Sequence, residues 1–120
     1  MATDTQRGTD GTAPTEPVQI ESADHLDELV ADQDVVLVDF YADWCGPCQM
    51  MEPGIETLAE ESDATVAKVD VDALQQLASA YGVRGVPTTV LFAGGEQVDQ
   101  HVGMLSEEQL FNLVSQYTDE

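Results

Sequence analysis

Residues 41–50 read YADWCGPCQM and hold the only two cysteines of the chain, Cys45 and Cys48, separated by Gly46 and Pro47. A Cys-x-x-Cys pair can be a structural cross-link, half of a metal site or a reacting pair. As a cross-link it contributes little, because closing a four-residue loop is worth only about 2 kcal/mol of chain entropy. As a metal site it lacks ligands. The two histidines, His25 and His101, have no zinc-finger spacing to each other or to the cysteines, so no metal is expected. The reacting pair also accounts for the neighbours. With Cys45 at the mouth of a helix and Cys48 one turn in, the two side chains share a face within disulfide reach. Gly46 permits a tight turn, and Pro47 suits a first helical turn, where its missing donor costs nothing. The free N–H groups of that helix end then favour thiolate at Cys45.

Working outward, VVLVDFYA before the cysteines reads as a strand buried on both faces. After them, Met51, Ile55, Leu58 and Ala59 define one face of a helix to about Glu61, with Pro53 expected to kink it. Upstream, VQI is a candidate short strand, and Ser22 caps a helix with Leu26, Leu29 and Val30 on one side. Downstream, TVAKVDV reads as a strand, and Asp72 is expected to cap a helix presenting Leu74, Leu77, Ala78 and Tyr81 before Gly82 ends it. TTVLFA and EQVDQHV flank Gly94-Gly95 as an antiparallel hairpin. The stretch from Ser106 to Gln109 is a capping box opening a last helix, with Leu110, Leu113, Val114 and Tyr117 facing inward. The order is βαβα, then a hairpin and a C-terminal helix, which makes an α/β fold with a central mixed sheet flanked by helices on both faces. Residues 18–120 form the expected domain, preceded by a flexible tail at 1–17.

The charge balance is extreme, with 24 acidic against three basic residues and a formal net charge of -21. The tail carries only -2 of it, so the domain carries -19. Such a surface repels nucleic acid and anionic membranes. Because the acids are spread along the domain instead of clustered, a cytoplasm at molar salt, and so a halophilic source, explains them better than one basic docking partner. MATDTQRGTDGTAPTEP contains no apolar core of signal-peptide length, and no stretch reaches the roughly 20 apolar residues needed to span a bilayer. A soluble, cytoplasmic monomer is expected.

Tyr41 to Cys48, with VLVDF before it, resembles the active-site signature of the thioredoxin family. The resemblance extends from about Val18 to Tyr117, through Pro53, GVRGVPT at 82–88, the FAGG turn and the Val102-Gly103 pair. It implies the thioredoxin fold and a protein-disulfide reductase that needs no bound cofactor. Its partners would be disulfide-containing client proteins and a thioredoxin reductase or equivalent donor. Cys45 would attack a client disulfide and Cys48 would resolve the mixed disulfide. A disulfide oxidase or isomerase on the same fold, and a non-catalytic binding adaptor, are the alternatives.

Asp39 stands in an otherwise apolar strand that ends just before the cysteine turn, so burial should raise its pKa and suit it to accept the Cys48 proton. The family has its buried aspartate at this position. Lys68, the only lysine, lies in an apolar strand and is expected to pair with Asp39 and tune it. Trp44, Gly46 and Pro47 form an uncharged apron around Cys45. By resemblance, Val86-Pro87 is a cis dipeptide offering backbone to an extended client segment, with Gly103 and Met104 as the next part of that rim. Phe40, Tyr41, Phe92 and Phe111 read as packing aromatics. One departure is Gln49, where the family commonly has lysine. With Asp43 and Glu52 nearby, it should raise the Cys45 pKa unless salt screens them.

If dilute buffer leaves -19 of self-repulsion unscreened, the melting temperature should climb by several degrees between low and molar salt. A flat profile in differential scanning calorimetry would refute the salt explanation.

Overall fold

The valine-rich run before the cysteines forms the middle strand of the sheet. A computed structural model describes residues 14–118, and most of the expected tail, at 1–13, lies outside them. The elements are β1 (Val18–Gln19), α1 (Ala23–Asp32), β2 (Val35–Tyr41), α2 (Gly46–Glu61), β3 (Thr65–Asp70), α3 (Gln75–Ala80), β4 (Thr88–Ala93), β5 (Glu96–Val102) and α4 (Glu107–Ser115). The strand order is β1-β3-β2-β4-β5. β3 runs parallel to both β1 and β2, while β4 is antiparallel to β2 and β5 to β4.

Alternation along β2 divides the core in two. Val36, Val38 and Phe40 join Leu26 and Val30 of α1 and Leu77 and Ala78 of α3. Val35 and Leu37 join Met51, Ile55 and Leu58 of α2 and Leu110, Leu113 and Val114 of α4. Asp39 is next in the Val35, Leu37 row, on the side that α2 covers.

Local chemistry sets the ends. Ser22 Oγ accepts from His25 N–H at 3.0 Å, and His25 Nδ1 accepts from Glu21 N–H at 3.0 Å, so the histidine completes a reciprocal cap on α1. Ser106 and Gln109 form the expected capping box on α4. Gly94 and Gly95 have φ of 62° and 86°, the left-handed values that a two-residue hairpin turn demands. Leu91 pairs with Asp99 but Phe92 with Gln97, which leaves Val98 as a bulge in β5.

Two expectations change. Asp72 does not cap α3, which starts later, at Gln75, with no side-chain cap. Asp70 Oδ1 instead accepts from the N–H groups of Asp72 and Ala73 at 2.9 and 3.3 Å, making an Asx turn two residues earlier. Tyr117 lies beyond the end of α4 and is exposed, so Leu110, Leu113 and Val114 alone form its buried face.

Gly54 is where α2 and α4 meet: a Cβ there would lie 3.3 Å from Glu107 Cβ and 3.4 Å from its Cα. Gly54→Leu must push α4 outward, and should cost about 1–3 kcal/mol in urea unfolding. A loss within 0.5 kcal/mol, roughly the surface-substitution range, would show that the contact is slack.

Candidate active site

β2 ends at Tyr41 and the chain turns through Ala42 to Trp44 into α2, whose N-cap is Cys45. The sulfur takes the role an oxygen usually plays at a cap: Cys45 Sγ accepts from Cys48 N–H at 3.1 Å. No acidic residue occupies the first turn of α2, in spite of the acidity of the chain. The two sulfurs are joined as a disulfide, with the Cα atoms 5.2 Å apart. Both cysteines are buried, packed with Ala42 and flanked by half-buried Tyr41, Val71 and Val86.

Around them lie the residues of the expected apron, with Asp43, Asp72 and Arg84 exposed on the same surface. Trp44 is 71% exposed, yet its position is held, since Nε1 donates to Asp72 Oδ2 at 2.9 Å. Gly46 and Pro47 are exposed beside it. The Val86-Pro87 peptide is cis, and Gly103 N–H donates to the Pro87 carbonyl at 2.9 Å, tying two segments of the rim together. Met104, next to Gly103, is also exposed. Trp44, Val71, Arg84 and Val86 line a hollow of about 220 Å³. Gln49 Nε2 donates to the Asp43 carbonyl at 2.8 Å, bracing the turn where a lysine would have added charge.

Asp39 on β2 is 1% exposed and stands opposite Lys68 of β3 and Thr89 of β4. Its Oδ1 has no hydrogen-bond partner among the described residues. Burial pushes its pKa from 3.8 to about 7, opposed by the positive charge of Lys68 and reinforced by the negative charge of Glu52.

The expected Lys68–Asp39 ion pair is not what forms. Lys68 Nζ pairs with Glu52 Oε2 instead, and lies 4.3 Å from the centroid of the Tyr41 ring. The long lysine stem takes the ammonium past the carboxyl beside it to a carboxylate on α2. Lys68 still lowers the Asp39 pKa through space, while Glu52, paired with that ammonium, raises it.

Sequence reasoning named Cys45, Cys48, Trp44, Pro87, Asp39 and Lys68, and also Glu52 and Tyr41, but not the contacts that Glu52 and Tyr41 make with Lys68 or that Asp72 makes with Trp44. Glu52 follows Cys48 by four residues, so the helical period put both on one face, and that spacing was the available signal. Asp72 and Tyr41 carried none, because their partners, Trp44 and Lys68, are 28 and 27 residues away. Among the described residues, no cluster of His, Cys, Asp and Glu could hold a metal, and no helix is long and apolar enough to cross a membrane.

Comparison with known proteins gives a consistent picture. The thioredoxin family model matches residues 17–116. The thioredoxin of Chlamydia muridarum is 42% identical over 101 residues, covering 83% of this chain and 98% of that protein. The thioredoxin of Chlorobaculum thiosulfatiphilum is 43% identical over 95 residues, covering 78% and 84%. Among solved structures, a mutant thioredoxin from Halobacterium salinarum NRC-1 is 61% identical, covers 89% of this chain and 95% of its own, and superposes with a TM-score of 0.87. With the cysteine pair capping its helix, the cis dipeptide beside it and this match over most of the length, the chain belongs to the thioredoxin family.

Proposed function

We propose that Cys45 attacks and Cys48 resolves in the dithiol-disulfide exchange by which this thioredoxin-family protein reduces protein disulfides. The observation that carries the assignment is the cap: Cys45 Sγ receives a helix N–H, so the same donor field meets the sulfur as thiolate. In the reduced protein Cys45 thiolate attacks one sulfur of a client disulfide, forming a mixed disulfide and expelling the other client sulfur. Cys48 gives its proton to Asp39 and attacks Cys45 Sγ, which releases the second client thiol and leaves the Cys45–Cys48 bond. The client gains two electrons, and a reductase or other dithiol donor restores the pair.

Asp39 serves as proton acceptor because burial holds its pKa near the working pH. Lys68 tunes it across the sheet, with Glu52 limiting how far. Trp44, Gly46, Pro47, Val86, Pro87, Gly103 and Met104 form the docking rim, where an extended client segment finds backbone groups beside exposed apolar side chains. The net charge of -21 favours protein clients over nucleic acid or anionic membrane, and the chain works as a cytoplasmic monomer.

Reduction of a disulfide-bonded protein substrate by a dithiol donor tests the sulfur roles. Cys45→Ser should abolish turnover, while Cys48→Ser should accumulate a mixed disulfide visible on non-reducing gels. Turnover persisting in Cys45→Ser would overturn the assignment.

Asp39 also ties stability to pH. Its folded pKa of about 7 exceeds the ordinary 3.8, so between those values the folded state holds the extra proton, and stability falls as pH rises through that window. Asp39→Asn should therefore match wild type near pH 4 and be more stable above pH 7, by up to about 4 kcal/mol, while resolving mixed disulfides more slowly. Equal chemical-denaturation midpoints at pH 8 would refute the buried-acid reading.

A further inference from the structure

Four polar or charged side chains are fully buried among the described residues: Asp39, Thr65, Thr88 and Thr89. Two have partners, since Thr65 Oγ1 donates to Gln33 Oε1 at 3.2 Å and Thr88 Oγ1 to the Gly85 carbonyl at 2.7 Å. The other two, Asp39 Oδ1 and Thr89 Oγ1, have none. They are also direct partners in the antiparallel β2–β4 register. Residues so placed point to the same face with Cβ atoms about 4.5–5.5 Å apart, close enough for a turn of the Thr89 side chain about χ1 to carry its hydroxyl to the carboxyl, a bond the two do not make as they stand. Two unsatisfied buried groups on facing side chains are poor as isolated atoms and good as a pair.

We propose that Thr89 is a positioning residue for Asp39, its hydroxyl donating to the carboxylate when Asp39 is ionised and accepting from the acid when it is protonated. The inference rests on the proposed role of Asp39 for its catalytic meaning, but the contact itself does not. A threonine hydroxyl both donates and accepts through one oxygen, so it stays paired through each proton transfer, whereas a lysine ammonium, which only donates, serves the ionised state alone. The bond to the ionised form is charge-assisted and the stronger of the two, so Thr89 favours the carboxylate and acts with Lys68 against the burial that raises the Asp39 pKa. The polar and charged groups on the elements around Asp39 come from three sides. Lys68 stands on β3, Glu52 and Cys48 lie on the covering helix α2, and Thr89 stands on β4, with His101 of β5 the next residue beyond it in the row.

The Asp39 carboxyl carbon can be titrated by NMR in the oxidised protein, where the cysteines carry no proton, so the reading is independent of turnover. In Thr89→Val, which keeps the shape and removes the hydroxyl, the Asp39 midpoint should move up by about one pH unit, and Thr89→Ser should return it close to wild type. The pH profile of mixed-disulfide resolution should move with it. A Thr89→Val midpoint equal to wild type, in a variant that melts as wild type does, would overturn the contact. A midpoint that moves while the resolution profile stays fixed would uphold Thr89 and overturn the role of Asp39 as proton acceptor.

Discussion

A carboxyl group held out of water in the central strand is the constraint on which the site depends. β2 is paired on both sides and covered on both faces, so Asp39 has no route by which to solvate its charge. Its neighbours act on that cost in opposite directions, Lys68 easing it and Glu52 adding to it. Lys68 stands beside it in register, Glu52 checks Lys68 from the helix above, and Thr89 faces it from the other neighbouring strand. The result is a carboxyl group whose pKa is raised to about 7. An apolar residue at position 39 would pack without that cost and without a titratable group.

A shortage of positive charge governs the cysteines. Only three basic residues exist in the chain, and of the two in the described region Lys68 is paired with Glu52. Stabilisation of a Cys45 thiolate therefore falls to backbone, the N–H groups at the start of α2, which do not depend on side-chain charge. Keeping acids out of the first turn of that helix and bracing the turn with neutral Gln49 both keep negative charge away from the sulfur in an otherwise acidic molecule. Trp44, Pro47 and Met104 likewise expose apolar side chains on an otherwise acidic surface.

What could be read from the chain was what nearest neighbours decide. The apolar run of β2, the Gly94-Gly95 turn and the Ser106 to Gln109 capping box each depend on residues within a few positions of one another, and each appears where its pattern places it. Asp72 shows the limit. An aspartate before a helical stretch looks like a cap, but Asp70 makes the local turn and the side chain of Asp72 is claimed by an indole 28 residues away. Tyr117 was grouped with α4 by its spacing, yet the helix ends before it and leaves it partly exposed.

By itself the sequence determined the order of the elements, the reacting pair and the presence of a carboxylate and an ammonium in adjacent apolar strands. These follow from periodicity, capping and turn chemistry, which act over one or two turns of chain. Only the tertiary structure decided which acid the lysine meets, what steadies the tryptophan and which hydroxyl faces Asp39. Those choices depend on strand register and on how α2 lies over the sheet, and both are set by packing the whole core at once.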